Sequence, residues 1–382
     1  MKVRLGDYIK EYSVRNMADE KIPVYSVTNT KGFCSEYFSK DVASKDRSTY
    51  KIVPRGYFAY NPSRINVGSI DFLRDEARVI VSPLYVVFKT TSFLDNQYLL
   101  YYLKSDISLH YIKELATGSV RDNLKFSILS DFPIELRTHD EQISVVNTLK
   151  RIESLIALYQ SQIRKLDELV KARFVEMFGN PVVNPMKWKE MPLKECLYSI
   201  DNGKSFVCAN EPRQGDWPAI LKLSAVTYGD FRPKENKSLL KENQYIEAAE
   251  VHTGDLLFTR KNTPELVGMA TYVKSTPKKL MLPDLIFRLN TKENCSKIFL
   301  WHLINHKMFR GKIQNLASGS AKSMSNISKE RLFKLNIVLP PIEFQEQFAT
   351  FVTQVDKSKV AVQQALDKTQ QLFDSLMQQY FG

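Results

Sequence analysis

Two stretches of this 382-residue sequence carry side chains suited to reading the edges of nucleic-acid bases. Tyr60, Asn61, Arg64 and Asn66 follow one short apolar run, and Arg260, Lys261 and Asn262 follow another. Downstream of each, a Gly-Ser step opens a second polar cluster: Ser119, Arg121, Asn123 and Lys125 after Gly118, and Ser320, Lys322 and Ser323 after Gly319. Arg and Lys suit the acceptor edge of guanine, whereas Asn matches the donor and acceptor of adenine. Each residue alone also reads as a solvated charge or a phosphate contact. Their recurrence as clusters at matching places in two halves is what makes them a candidate site.

Bond-making chemistry is harder to find. Asn61-Pro62-Ser63-Arg64 comes nearest to the Asn/Asp-Pro-Pro-aromatic pattern of amino-group methylation, but lacks the second Pro and the stacking aromatic; the second half has Lys261-Asn262-Thr263-Pro264 instead. There is no Gly-x-x-x-x-Gly-Lys-Ser/Thr loop for a nucleotide triphosphate. His302 and His306 stand four apart on an expected helix, yet without a third ligand or an adjacent Glu they read as a helix face beside Trp301, and no metal is expected. Cys34, Cys196, Cys208 and Cys295 are scattered without Cys-x-x-Cys spacing, which supports neither a zinc site nor a disulfide framework. No catalytic residue is assigned.

The elements that position these clusters are duplicated. Asp140, Gln142, Val145, Leu149, Ile152, Ile163, Phe178 and Gly179 are answered by Glu343, Gln345, Phe348, Val352, Val355, Leu366, Phe381 and Gly382; 343 less 140 and 382 less 179 are both 203. Repeats of this kind fix an architecture before any other signal does. Around these residues runs a seam of alternating three and four spacing, which predicts two long helices that supercoil. The first seam is Val145, Leu149, Ile152, Ile156, Tyr159, Ile163, Leu166 and Val170. The second is Phe348, Val352, Val355, Lys359, Val362, Leu366, Thr369, Phe373, Leu376 and Tyr380, with Lys359 and Thr369 breaking the apolar rule. Two such helices separated by a complete domain pair most simply with each other, antiparallel.

The heads repeat as well. Gly56-Tyr57-Phe58-Ala59-Tyr60 matches Gly254-Asp255-Leu256-Leu257-Phe258, and Ser82-Pro83-Leu84-Tyr85-Val86-Val87-Phe88 parallels Leu282-Pro283-Asp284-Leu285-Ile286-Phe287. Each head is expected to hold short strands, a helix near 97–103 or 298–304, and an exit strand at 132–136 or 335–339. The boundaries expected are a first head over 1–137, a helix over 138–179, a Pro/Asn-punctuated linker with the second head over 180–340, and a helix over 341–382. The fold class is α+β, with heads of mixed sheet and helix on an antiparallel coiled coil.

A net charge of +12 favours a polyanionic partner through counterion release. The start, Met1-Lys2-Val3-Arg4-Leu5, has no apolar signal core, and no run approaches the ~18 apolar residues of a membrane span. A soluble, cytoplasmic protein without membrane association is expected.

With the order head, helix, linker, head, helix in place, the chain resembles the specificity subunits of type I restriction-modification enzymes over nearly its whole length. The most specific signs are Gly319-Ser320, Leu339-Pro340-Pro341-Ile342-Glu343-Phe344-Gln345, and Met177-Phe178-Gly179-Asn180-Pro181 with Trp188 and Leu193. The first copy departs from the Leu-Pro-Pro form, having Leu136-Arg137-Thr138-His139-Asp140-Glu141-Gln142, so the resemblance carries over the helix there but not the turn that opens it. The resemblance implies that each head is a target-recognition domain reading half of a split site in double-stranded DNA. It also implies that the helices space the heads and dock two methyltransferase subunits, with restriction and motor subunits in the full complex. S-adenosylmethionine and ATP would then belong to those partners, and this chain would hold no cofactor and be no enzyme. About 38 helical residues span about 57 Å, or about 17 base pairs at about 3.4 Å each. Two rivals stay open from the residues alone: a scaffold or decoy with two protein-binding heads, and an enzyme in its own right.

Overall fold

The computed structural model describes residues 2–35, 47–115, 124–317 and 324–382. The chain divides into two compact units, Met1–Ser161 with Gln363–Gly382, and Gln162–Val362. Each contains one head and a half of each long helix, because His139–Phe178 and Ile342–Phe381, of 40 residues apiece, run through both units.

In the first unit the opening strand Lys2–Arg4 pairs antiparallel with the exit strand Pro133–Glu135. A four-stranded antiparallel sheet follows the spatial order Ile9–Glu11, Val86–Thr90, Phe58–Tyr60, Ile70–Phe72. Its strands are rich in the aromatic and β-branched residues that pack well on a pleated surface, and Phe58 stacks on Phe88 with ring centroids 4.9 Å apart. The helix Asn96–Lys104 is capped by the Asp95 carboxylate, which accepts from the Tyr98 amide. Tyr98 and Tyr102 pack on Phe381 at 5.1 and 6.3 Å, and Tyr101 donates a 2.6 Å hydrogen bond to Glu153.

The second unit repeats this plan. Lys189–Pro192 pairs with Asn336–Leu339, and the sheet order is Leu197–Asn202, Ile286–Thr291, Leu256–Thr259, Ala270–Tyr272. The head helix Lys297–Asn305 starts at Ser296, whose hydroxyl accepts from the Phe299 amide. Phe299 lies 5.8 Å from Phe174 and 4.9 Å from Phe178. Thus Phe178 and Phe381, the matched ends of the two long helices, seat against the head helix of the second and first unit respectively.

Within each unit the two helix halves run antiparallel. In the second, Phe178 meets Phe348, Arg173 lies over the Phe351 ring, and Lys359 pairs with Asp167, so one helix descends as the other rises. In the first, Arg137 just before one helix lies over Tyr380 near the end of the other, and Tyr101 touches both Glu153 and Phe373. Val145, Leu149, Ile152, Val170, Phe348, Val352 and Val355 are buried, and the remaining seam residues are half-buried. The α+β heads and the antiparallel helix pair expected from the sequence are both present.

A buried glutamine explains part of the 203-residue repeat. Gln142 donates from Nε2 to the carbonyls of Phe93 and Arg137, both at 2.9 Å, and accepts at Oε1 from the Asp95 amide at 2.8 Å. Gln345 donates to the carbonyls of Asn294 and Pro340 at 3.2 and 2.7 Å, and accepts from the Ser296 amide at 2.9 Å. Each glutamine therefore ties a long helix to the capping residue of its head helix. The turn that departs from the Leu-Pro-Pro form reaches the same end by a capping box. Glu141 accepts from the amide and hydroxyl of Thr138 at 2.8 and 2.9 Å, and those bonds hold its carboxyl below the usual range.

The first helix ends at Gly179, which has φ +70°; a Cβ there would come within 2.6 Å of Pro185 Cγ, so glycine is required where the linker folds back. All four cysteines are free thiols, with Cys196 and Cys295 buried. No helix among the described residues is long and apolar enough to cross a membrane.

Candidate nucleic-acid interface

In the first head the sheet strand Phe58–Tyr60 delivers Asn61 to the surface. Asn61 Oδ1 accepts from the Ser63 amide at 3.0 Å and its carbonyl accepts from the Arg64 amide at 2.9 Å, a local turn of the kind Asn favours. The loop is tied to a distant segment through Leu124, whose amide donates to the Pro62 carbonyl at 3.2 Å and whose carbonyl accepts from the Tyr60 hydroxyl at 3.1 Å. Lys125, exposed at the start of the short helix Phe126–Ser130, is thereby brought beside Asn61. Asn61, Ser63, Lys125 and Ser127 line one groove of about 520 Å³ together with Glu11, Leu84, Val86 and Phe126. Arg64 is exposed and Asn66 half-buried on the adjoining turn.

The second head builds its counterpart from the strand Leu256–Thr259 and a small ladder pairing Lys261–Asn262 with Ser325–Asn326. Arg260 lies over the Phe287 ring at 5.2 Å, donates from Nε to Asn326 Oδ1 at 3.3 Å, and donates from Nη1 to the Asp284 carbonyl at 3.4 Å. Lys329 approaches the same ring at 5.7 Å. Ser205 hydrogen-bonds the Asp284 carboxylate, placing the Lys204 loop next to this cluster. A guanidinium held over a ring and by two fixed acceptors is pre-organised for a planar partner, because less freedom is lost on binding.

Residues 185–371 match the family model described as a type I restriction modification DNA specificity domain. The type I restriction enzyme EcoEI specificity subunit of Escherichia coli is 30% identical over 203 residues, which cover 51% of this chain and 34% of that protein. The MjaVIII specificity subunit of Methanocaldococcus jannaschii is 25% identical over 378 residues, 93% of this chain and 85% of that one. By these matches the chain is similar to type I specificity subunits. The solved type I restriction-modification S subunit from M. genitalium shares the fold, with a TM-score of 0.58 at 12% identity over 100% of this chain and 96% of that chain. The chain matches about a third of the length of the EcoEI subunit.

The expected readers divide into groups. Asn61, Arg64, Asn66 and Lys125 lie together on one head, and Arg260 and Lys261 on the other. Tyr60 and Asn262 are different. Tyr60 is fully buried, with its hydroxyl committed to Leu124, and burial pushes its pKa upward. Asn262 is buried too: Nδ2 donates to Thr227 Oγ1 at 3.1 Å and Oδ1 accepts from the Thr263 amide at 2.8 Å. These two side chains shape the loops from within rather than face solvent. Ser119, Arg121, Asn123, Ser320, Lys322 and Ser323, with Gly118 and Gly319, lie outside the described residues.

Lys329 and Asn326 were not anticipated, although the repeat pointed there, since 329 less 203 is 126, the position next to Lys125. His302 and His306 pack on aromatic rings, His302 at 5.2 Å from Phe348 and His306 at 5.3 Å from Phe174. His306 lies past the end of its helix. Among the described residues no group of three His, Cys, Asp or Glu is placed to hold a metal.

Proposed function

We propose that this chain is the sequence-reading subunit of a type I restriction-modification complex. Its two heads bind double-stranded DNA, each taking one half of a split target, while the long helices dock two methyltransferase subunits and, in the full assembly, restriction and motor subunits. The chain itself transfers no methyl group. S-adenosylmethionine and ATP are bound by the partners, and the complex works in the cytoplasm, where the DNA is.

The observation that supports this reading best is divergence on a matched frame. Both heads have the same sheet order and the same glutamine tie, yet the residues beyond the equivalent strands are Asn61 and Lys125 in one and Arg260, Lys261 and Lys329 in the other. An asymmetric target needs two unlike readers on one frame. Sequencing methylated bases in cells carrying this chain with its methyltransferase should yield a motif of two short, different parts separated by unspecified bases. Binding tests the residues: Arg260→Ala should cost about 1–3 kcal/mol on the specific duplex if it makes a bidentate base contact. If it touches phosphate alone, affinity should fall alike on all duplexes with a shallower salt slope. Binding indifferent to both salt and DNA sequence would refute the function.

A further inference from the structure

Leu84 stands out in the first-head groove: 77% of its surface is exposed, while the rest of the groove lining combines polar groups with the half-buried Pro62, Val86 and Phe126. The turn that presents it is pinned. The Tyr85 amide donates to the Ser82 carbonyl at 3.0 Å, the Lys51 ammonium donates to the Tyr85 carbonyl at 2.6 Å, and the buried Tyr85 hydroxyl accepts from the Val27 amide at 3.4 Å. A leucine on a loose loop would fold onto nearby apolar surface; this one is held out beside Asn61, Ser63 and Lys125. At the matching turn the second head has no such residue. The matching turn carries Asp284 and Leu285, both half-buried, with the Asp284 carboxylate bound to Ser205.

On the DNA-reading function proposed above, we infer that Leu84 is a specificity-determining residue of the first half-site, packing its methyl groups against the C5-methyl of one thymine in the major groove. Thymine is the base whose major-groove edge offers a methyl group, so an apolar side chain among hydrogen-bonding ones singles it out. Asn61 and Lys125 on either side would take the neighbouring polar edges, and Glu11 would accept from an exocyclic amino group.

The test uses the full-length chain and duplexes enriched from a random pool. Each thymine of the enriched target is replaced singly by deoxyuridine, which removes the methyl group and leaves every hydrogen-bonding group in place. One replacement should weaken binding about fourfold, the effect of one buried methyl. With Leu84→Ala the thymine and deoxyuridine duplexes should bind equally at that position, while dependence on the other half-site persists and shows the variant folded. A target in which no deoxyuridine matters, or a Leu84→Ala chain that keeps the penalty, would overturn this contact while leaving the DNA-reading function standing. Failure to enrich any sequence would overturn that function and the contact with it.

Discussion

His302 shows how a single side chain in the second unit sets a response to pH. Its Nε2 is buried without a hydrogen-bond partner, its ring is 4.4 Å from Trp301 and 5.2 Å from Phe348, and burial, reinforced by Lys274 and Lys359, lowers its pKa to about 3. In the unfolded chain an imidazole titrates near ~6.5. Between those values the unfolded chain takes up a proton that the folded one refuses, so stability is full above about pH 6.5 and falls as pH drops toward 3. From pH 7.5 to 5.5 this group alone should remove about 1.4 kcal/mol. His306, also depressed by burial, acts in the same direction. Urea unfolding at the two pH values should show the acid loss reduced by that amount in His302→Phe; equal losses in both proteins would reject the assignment.

The same scale shows why residue type alone misplaced Tyr60 and Asn262. A polar side chain after an apolar run looks like loop surface. Which face it takes depends on strand pairing, and Asn262 finds its partner in Thr227, 35 residues away. Burial of a polar group is affordable only when such a partner exists, and the sequence does not display that partner.

At the scale of elements, the two buried glutamines and the seam ion pair should differ sharply in worth. Gln345→Leu leaves the Pro340 and Asn294 carbonyls and the Ser296 amide without their partner, so about 1–3 kcal/mol should be lost for the unmet groups together. Gln142→Leu should do the same in the first unit. Lys359 and Asp167, with side chains 29% and 49% exposed, should lose less than about 1 kcal/mol in Asp167→Asn. Denaturant unfolding of the three variants should rank them in that order, and an ion-pair variant as damaging as a glutamine variant would contradict it. The long helices and the head helices were legible because a sustained seam and a short amphipathic run each declare their own period. The pairing of Lys2–Arg4 with Pro133–Glu135 was not, because the partners are more than a hundred residues apart and three-residue strands carry almost no pattern. For the same reason the repeat located the loops of the candidate site without showing that Leu124, bonded to Tyr60 and Pro62, brings Lys125 into one groove with Asn61.

For the whole molecule, the consequence of two units with matched frames is that a head should be exchangeable. On the proposed function, replacing residues 2–137 with the corresponding head of a type I specificity subunit should change one part of the methylated motif and leave the other intact, since Arg260, Lys261 and Lys329 belong wholly to the second unit. The fold adds a condition on the donor. Phe381 must find an aromatic seat like that of Tyr98 and Tyr102, and Gln142 must find a backbone amide and carbonyls placed like those of Asp95, Phe93 and Arg137. A donor lacking that seat should give a chain with lowered stability in its first unit and weak methylation everywhere. Restoring Tyr98, Tyr102 and Asp95 in the donor head should recover methylation without reverting the new half-motif, because none of the three lines the groove of Asn61 and Lys125. Sequencing methylated bases from cells carrying each exchange separates the outcomes: a change in both parts of the motif, or in neither, would mean that the two heads do not read DNA as independent units.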